Sequence, residues 1–556
     1  MFVRVKTSKN SPRKGVQIVE CIRHGTAVKQ RIVRHVGTAF DEKELESLKD
    51  LAEHIKATLE SQTQPALFKP EQLADLAIAS RKESDTTSPL HVNLRTLREE
   101  QRIVSGIHEI FGTIYTEMGF DGVIPVRKAA ARRDLRHTTM ARIAHPQSKR
   151  QSVMDLSRHF GVELSLSAVY RMMDAIDDTV ISRINRCACT TAQSLLRNQI
   201  QVAFYDCTTL YFESHTEDEA LLKNGYGKDM KFNQPQVILA LLSTSDGLPI
   251  GYKLYAGNTF EGKALTDAID RLQQDYSIKR VVFVADSALP SSDNLCLLEE
   301  KGIEYIVGAR LKRMSMKQQE KILEPHGWQQ MSTEHTTDGE QERCKELSFG
   351  DGQRLIITCR PSRARKDKAE REKALQKLLG RMKRSRDPAS LISNYGYKRF
   401  INVRGDAAIE IDGQKVARAA RWDGIHGVCT NAKGMTSAEI RTQYRSLWEI
   451  EECFRISKHD LRFRPVFHWT KPRIEAHVAI CFMALACARS LQHQLKAQGH
   501  CYSVQTLIRE LGSVQTSIIR DTKSDTRYAI PSSVSEIAHI IYKRCGKTYT
   551  QVPYQL

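Results

Sequence analysis

The sequence predicts an α/β protein built on a mixed sheet covered by helices. A mainly β insertion interrupts the sheet, and a β meander and a helical region precede it. Three observations predict this. Short apolar runs such as QVAFYD, VILALLS and VVFVAD, bounded by turn residues and separated by helical periodicity, read as buried strands with crossover helices. Residues 98–199 carry apolar side chains at helical spacing. The first forty residues instead alternate apolar and polar.

Composition bounds the partners. The chain has 556 residues, long enough for roughly three or four domains, and 41% are hydrophobic, enough for sizeable cores. Lys and Arg number 84 against 65 Asp and Glu, a net charge of +19. That surplus favours a polyanion, because neutralising phosphates releases counterions. The 13 cysteines are scattered and none forms a C-x-x-C pair, which argues against structural zinc and a disulfide framework and for a reducing cytoplasm. MFVRVKTSKN lacks the apolar core of a signal peptide. The longest apolar run, Val478–Ala488, is too short to span a bilayer and predicts a buried helix.

In chain order, residues 1–97 begin with FVRVK, VQIVECIRHG and VKQRIVRHVG, a meander with basic outward positions. A helix over 41–60 and a connection rich in Pro, Ser and Thr follow. Residues 98–199 are helical. Within them, Gln151–Asp178 shows a helix, a turn at Gly161 and a helix opening at Ser165 or Ser167, which is helix-turn-helix spacing. Arg158, Tyr170 and Arg171 are its candidate DNA contacts; a plain helical bundle fits the same pattern.

Residues 200–309 form the first part of the sheet domain, with strands at QVAFYD, TLYFES, VILALLS, PIGYKLY, VVFVAD and EYIVGA and a helix over 262–274. Residues 310–422 form the insertion, with RLIITCR, KRFINVR and AAIEI as strands and the basic helix RPSRARKDKAEREKALQKLLGRMKRSR. Residues 423–499 return to the sheet with IHGVCT and two helices. Residues 500–556 are a C-terminal region expected to serve dimerisation.

Asp206 and Asp286 close apolar strands, where a carboxylate is rigid and accessible. Each alone also fits a strand end or a helix cap. Two on neighbouring strands repel unless a cation compensates, and Mg²⁺ is held by a few carboxylates together with water and phosphate oxygens. A third comes from YRSLWEIEECFRISK, read as one helix. There Glu451, Arg455 and Lys458 stand at i, i+4 and i+7 and share a face.

Asp206, Asp286 and Glu451 resemble the triad of DDE transposases, whose catalytic domain is RNase H-like. The last helix is similar to the signature Tyr-x2-Arg-x3-Glu-x6-Lys (YREK) of cut-and-paste bacterial insertion sequences. It matches at Tyr444, Glu451 and Lys458 and departs at Leu447, where the signature has arginine. YDCTTLYFE, GNTFEGKAL, ADSALPSSDNL and LRFRPVFH resemble the same group.

The resemblance implies cleavage and transfer of DNA strands at transposon ends. It implies two Mg²⁺ or Mn²⁺ ions on the triad, with Asp206 bridging, and a homodimer on DNA. It also implies phosphate contacts from Tyr444, Arg445, Arg455 and Lys458, and an aromatic residue of the insertion, Trp422 or His426, stacking on a flipped base. A structure-selective nuclease and a non-catalytic DNA-binding derivative are the alternatives.

Overall fold

The computed structural model describes residues 1–8, 11–24, 27–63, 92–197, 200, 202–212, 221–224, 235–259, 282–286, 292–330, 341–349, 352–384, 400–404 and 408–556, with residues 74, 75, 78, 267 and 270. The helix expected over 262–274, most of the 61–96 connection, and parts of GNTFEGKAL and ADSALPSSDNL lie outside the described residues. The chain divides into two compact units. One comprises Met1–Arg98, Ile519–Ile530 and Thr550–Leu556, the other Glu99–Ile518 and Pro531–Tyr549.

The first unit opens with β1 (Phe2–Ser8), β2 (Ser11–His24) and β3 (Ala27–Ala39), paired antiparallel in that order. Alternation puts Val16 and Ile18 on one face, where they meet Leu45 and Ala52 of α1 (Glu42–Thr63). The meander and helix stand where the sequence places them.

Arg98 was expected to open a helix, but β4 (Leu97–Val104) is a strand. Helices follow: α2 (Gly106–Glu117), α3 (Ala129–Ala144), α4 (Lys149–Phe160), α5 (Leu166–Met173) and α6 (Asp178–Leu195). Gly161 ends α4 at φ +63°, a left-handed conformation that side-chain-bearing residues avoid. The Ser165 hydroxyl, accepting from the Ala168 amide at 3.1 Å, caps α5 and fixes its start.

The sheet of the second unit contains β5 (Val202–Tyr211), β6 (Lys223–Asn224), β7 (Pro235–Thr244), β8 (Pro249–Ala256), β9 (Val282–Ala285) and β10 (Glu304–Gly308). It continues through β11 (Gln329–Gln330), β12 (Arg343–Phe349), β13 (Gln353–Cys359) and β16 (Ile425–Thr430). The order is β11-β12-β13-β16-β10-β9-β5-β7-β6, with β8 also on β7; β10, β9 and β5 run parallel and the rest pair antiparallel.

Two expectations change here. QVAFYD and TLYFES are one continuous strand, because β7 pairs with β5 from Ala203 through Tyr211. The insertion is also not a separate β body. Its strands β11 to β13 extend the main sheet through β16, whose two edges bond β10 and β13. Its other elements are α9 (Pro361–Arg384), the hairpin β14 (Ile401–Arg404) and β15 (Ala408–Ile411), and α10 (Gly413–Ala420). Before them lie α7 (Ser292–Glu300) and α8 (Met316–Leu323).

One sheet face presents Val202, Phe204, Leu239, Val282, Val284 and Ile356. It packs against α12 (Trp448–Arg455), which follows α11 (Ser437–Arg445), and belongs to the same core as α13 (Lys471–Lys496). The other face, with Ala203, Tyr205, Phe283 and Tyr305, meets Cys189 and Ala192 of α6 and Leu298 of α7. Although α13 is long and apolar enough to cross a membrane, its apolar span is enclosed by protein, as expected of the Val478–Ala488 run. In the C-terminal region, α14 (Val504–Gly512) and α15 (Glu536–Arg544) bury Leu507, Leu511, Ile541 and Tyr542 in this core. Between them lie β17 (Gln515–Asp521) and β18 (Arg527–Pro531), and β19 (Tyr554–Gln555) pairs with β18.

Candidate catalytic cleft

Asp206 lies inside β5 rather than at its end, at the level where the neighbouring strand β9 stops. Val202, Ala203 and Phe204 pair in parallel with Val282, Phe283 and Val284. The same register carried two residues on brings Asp206 level with Asp286, on strands spaced about 4.8 Å apart. Alternation assigns both to the face that holds Phe204 and Val284, which is the face α12 covers. The Cys207 amide donates to Asp206 Oδ1 at 2.8 Å and fixes one carboxylate oxygen.

The third carboxylate reaches this face by a broken helix. Thr436 and Glu439 form a capping box that starts α11. The helix ends at Arg445, restarts at Trp448, and passes into a π-helical turn, Ile456–Asp460. YRSLWEIEECFRISK is therefore three segments, not one helix. Ile450, Cys453 and Phe454 bury one side of α12. Glu449, 5% exposed, pairs with buried Arg489 of α13 at 2.5 Å. Glu452 pairs with Arg455 at 2.6 Å. Glu451 is exposed and faces a cleft of roughly 690 Å³.

Asp286, Glu451, Tyr444, Arg445, His426 and Trp422 all line that cleft. The Tyr444 phenol is pushed well up, first by burial and then by the negative charges of Asp286 and Glu451. Its hydroxyl thus lies within electrostatic reach of both carboxylates and stays protonated. The His426 ring lies 5.3 Å from that of Tyr444. Burial and then Arg363 and Arg360 lower the imidazole, against the pull of Asp286.

Other candidates are placed differently. Asp206 is not on the cleft lining. Arg455 is held by Glu452 and by Asp460 at 3.3 Å, and Lys458, in the π turn, lies over the Phe454 ring. Neither lines the cleft; Glu451 and Arg455 stand one turn apart on the exposed side of α12, and the π turn alters the helical phase before Lys458. Trp422 is 6% exposed and packs with Leu311, Ile322, Leu355 and Ile357, a core position rather than a free stacking platform. Arg158 and Arg171 are exposed on α4 and α5, whereas Tyr170 is covered by Arg473 at 4.5 Å. Leu447 is buried in the core.

One functional grouping has no signal in the sequence. Buried Glu342, just before β12, accepts from Arg360 and Arg441 at 3.0 Å and also binds Arg445. All three arginines line the cleft. The Arg441–Arg445 spacing on one helix face hints at a cation pair, but nothing near Glu342 in sequence marks it as their partner.

Among the described residues, no three His, Cys, Asp or Glu side chains are grouped closely enough to hold an ion as they stand. The donor chemistry of Asp206, Asp286 and Glu451 nevertheless suits a hard divalent cation: three carboxylates, two of them at one level of adjacent strands, on one face of the sheet.

The cleft thus lies beside a carboxylate-bearing sheet face under a glutamate helix, and comparison with known proteins gives the class. Residues 197–487, just over half of the chain, match the transposase DDE domain, and the chain belongs to that family. Residues 3–66 match the N-terminal domain of IS1634 family transposases, so this is an insertion-sequence DDE transposase. DDE transposase domains generally use divalent metal ions.

No curated protein sequence matches. Among solved structures, the chain is similar to a piggyBac transposase synaptic complex with hairpin DNA (10% identity, 74% of this chain and 77% of that one, TM-score 0.34). It is also similar to a Mos1 transposase paired-end complex (10% identity, 48% and 77%, TM-score 0.15).

Proposed function

We propose that the protein is an active cut-and-paste transposase. It binds the terminal inverted repeats of its element and, as a homodimer on DNA, cleaves and transfers strands with two Mg²⁺ (or Mn²⁺) ions held by Asp206, Asp286 and Glu451. The observation that carries this reading is the parallel register of Val202–Phe204 with Val282–Val284, which, carried two residues on, brings Asp206 and Asp286 level beneath the helix bearing Glu451.

Divalent ions, when bound, supply activation of a water or 3′-hydroxyl and stabilisation of the departing oxygen in an in-line displacement. The protein's part is placement. The sheet fixes two carboxylates, and Glu449–Arg489 fixes the helix that presents the third. Tyr444, kept protonated, can donate to a phosphate oxygen. Arg445, lining the cleft where Leu447 cannot serve, is the phosphate contact. Arg158 and Arg171 on the exposed helix pair contact DNA backbone.

The test is metal-dependent cleavage of duplex DNA carrying the terminal repeats. Asp206→Asn, Asp286→Asn and Glu451→Gln should each abolish cleavage while keeping DNA binding, and Glu452→Gln should cleave normally. Normal cleavage by all three triad variants would overturn the reading. Equal cutting of flapped DNA lacking the repeats would replace it with a structure-selective nuclease.

A further inference from the structure

The second unit holds another cavity, of about 440 Å³, that shares no lining residue with the catalytic cleft. It lies where the end of α3 and the start of α4 meet α13 and the segment before it. Its wall carries Arg142, Lys149, Arg150, Arg462, His468 and His477, and among the described residues no carboxylate.

Two of these cations are deeply buried. Arg142 and Lys149 are each 4% exposed. Arg142 donates to the carbonyl oxygens of Gln147 at 2.9 Å and Arg462 at 3.4 Å, and its Nε has no partner. Lys149 Nζ lies 3.5 Å from His477 Nδ1, while His477 Nε2 faces the Phe463 carbonyl at 3.2 Å. An N–H on Nε2 satisfies that carbonyl and leaves Nδ1 to accept from the ammonium. Both cations are thus held by neutral acceptors.

The local electrostatics agree. Burial and then Arg142 pull the Lys149 amine down to about 7. Burial and then Lys149 lower His468 to about 4 and push His477 well below its ordinary range. No carboxylate acts on any of the three. Buried charge without a counter-charge is strongly unfavourable, so an anion placed here would offset the charge of Arg142 and favour the protonated form of Lys149. Lys149 is also the first residue of α4, behind its Ser148 cap, so the helix N-terminus adds positive potential.

We infer that this cavity is a phosphate-binding site, and that it receives a backbone phosphate of the DNA on which the protein acts. The second half rests on the transposase reading above.

The test uses the full chain. Inorganic phosphate should raise the thermal unfolding midpoint saturably, beyond chloride at equal ionic strength. Lys149→Met should have a higher midpoint without phosphate and no saturable response, and Arg150→Ala, at the exposed rim, should show a weakened one. Absence of a saturable response in the parent overturns the site.

A second arm uses terminal-repeat duplexes carrying one neutral methylphosphonate at successive positions. At one position the parent should lose about tenfold in affinity. Lys149→Met should lose nothing further there, and its salt slope should fall by about one. A phosphate response without any such position overturns DNA as the source. Neither arm reads cleavage, so loss of the catalytic reading would leave this site standing.

Discussion

Replacing Glu449, which does not line the cleft, by alanine is expected to destabilise the second unit by about 3 kcal/mol. Glu449 and Arg489 are both 7% exposed at their side chains and meet at 2.5 Å. Removing one member of a buried pair leaves an uncompensated charge and typically costs about 3–5 kcal/mol. Arg489 keeps its bonds to the Gly247 carbonyl at 2.8 Å and Gln492 Oε1 at 2.6 Å, which places the loss at the lower end. Gly247 cannot close the gap. It has φ +73°, and a Cβ there would come within 1.7 Å of Arg489 Nη2 and 2.5 Å of Glu449 Oε2. The assay is urea unfolding of the parent, Glu449→Ala, and the double variant Glu449→Ala/Arg489→Leu. The single variant should unfold at clearly lower urea. The double variant should recover most of the loss, because no buried charge remains. An unchanged midpoint in Glu449→Ala, or a double variant as unstable as the single one, would refute the anchoring argument.

Trp422→Ala should lose about 3–5 kcal/mol of stability through the cavity it leaves among Leu311, Ile322, Leu355 and Ile357, and Trp422→Phe should restore much of it; normal urea stability with loss of end processing would instead make Trp422 a stacking residue. Acid should unfold the protein early. His108 and His468 have folded-state values lowered to about 4, chiefly by burial, against an ordinary 6.5. The unfolded chain therefore binds more protons between those values, so stability is complete above about 6.5 and declines as pH falls toward 4. A thermal midpoint that stays flat across that window contradicts it.

The strands that carry the candidate site were legible because burial constrains them from both sides. QVAFYD and VVFVAD are apolar because their strands are covered on two faces, and a carboxylate at their common level stands out. The helix of Glu451 was recognisable, but its break was not. Ser446–Leu447 contains neither proline nor glycine, and the restart depends on Ile450, Cys453 and Phe454 meeting the sheet. The addition of β12 and β13 to the main sheet depends on β16 having two free edges, a property of assembled strands that no local pattern reports. Nothing in the sequence around Arg142 and Lys149 marks them as enclosed; their burial is a property of the assembled core. The match at Leu447 failed for a similar reason. A leucine there joins the core, while Arg445, two residues earlier, lines the cleft and is tied to Glu342.

The level pairing of β5 with β9 also governs where this gene can change length. Asp206 and Asp286 are brought together by a ladder, not by a tether. The ladder sets their level, and the strands β6, β7 and β8 that lie between them in sequence belong to the same sheet. A single residue added inside β5, between Val202 and Asp206, turns that aspartate to the opposite face of the sheet, toward Tyr205 and Phe283. Frame-preserving insertions should therefore be eliminated from the five residues 202–206. A single-residue insertion scan of 202–206, read out by transposition, would show that stretch as a sharp gap in tolerance.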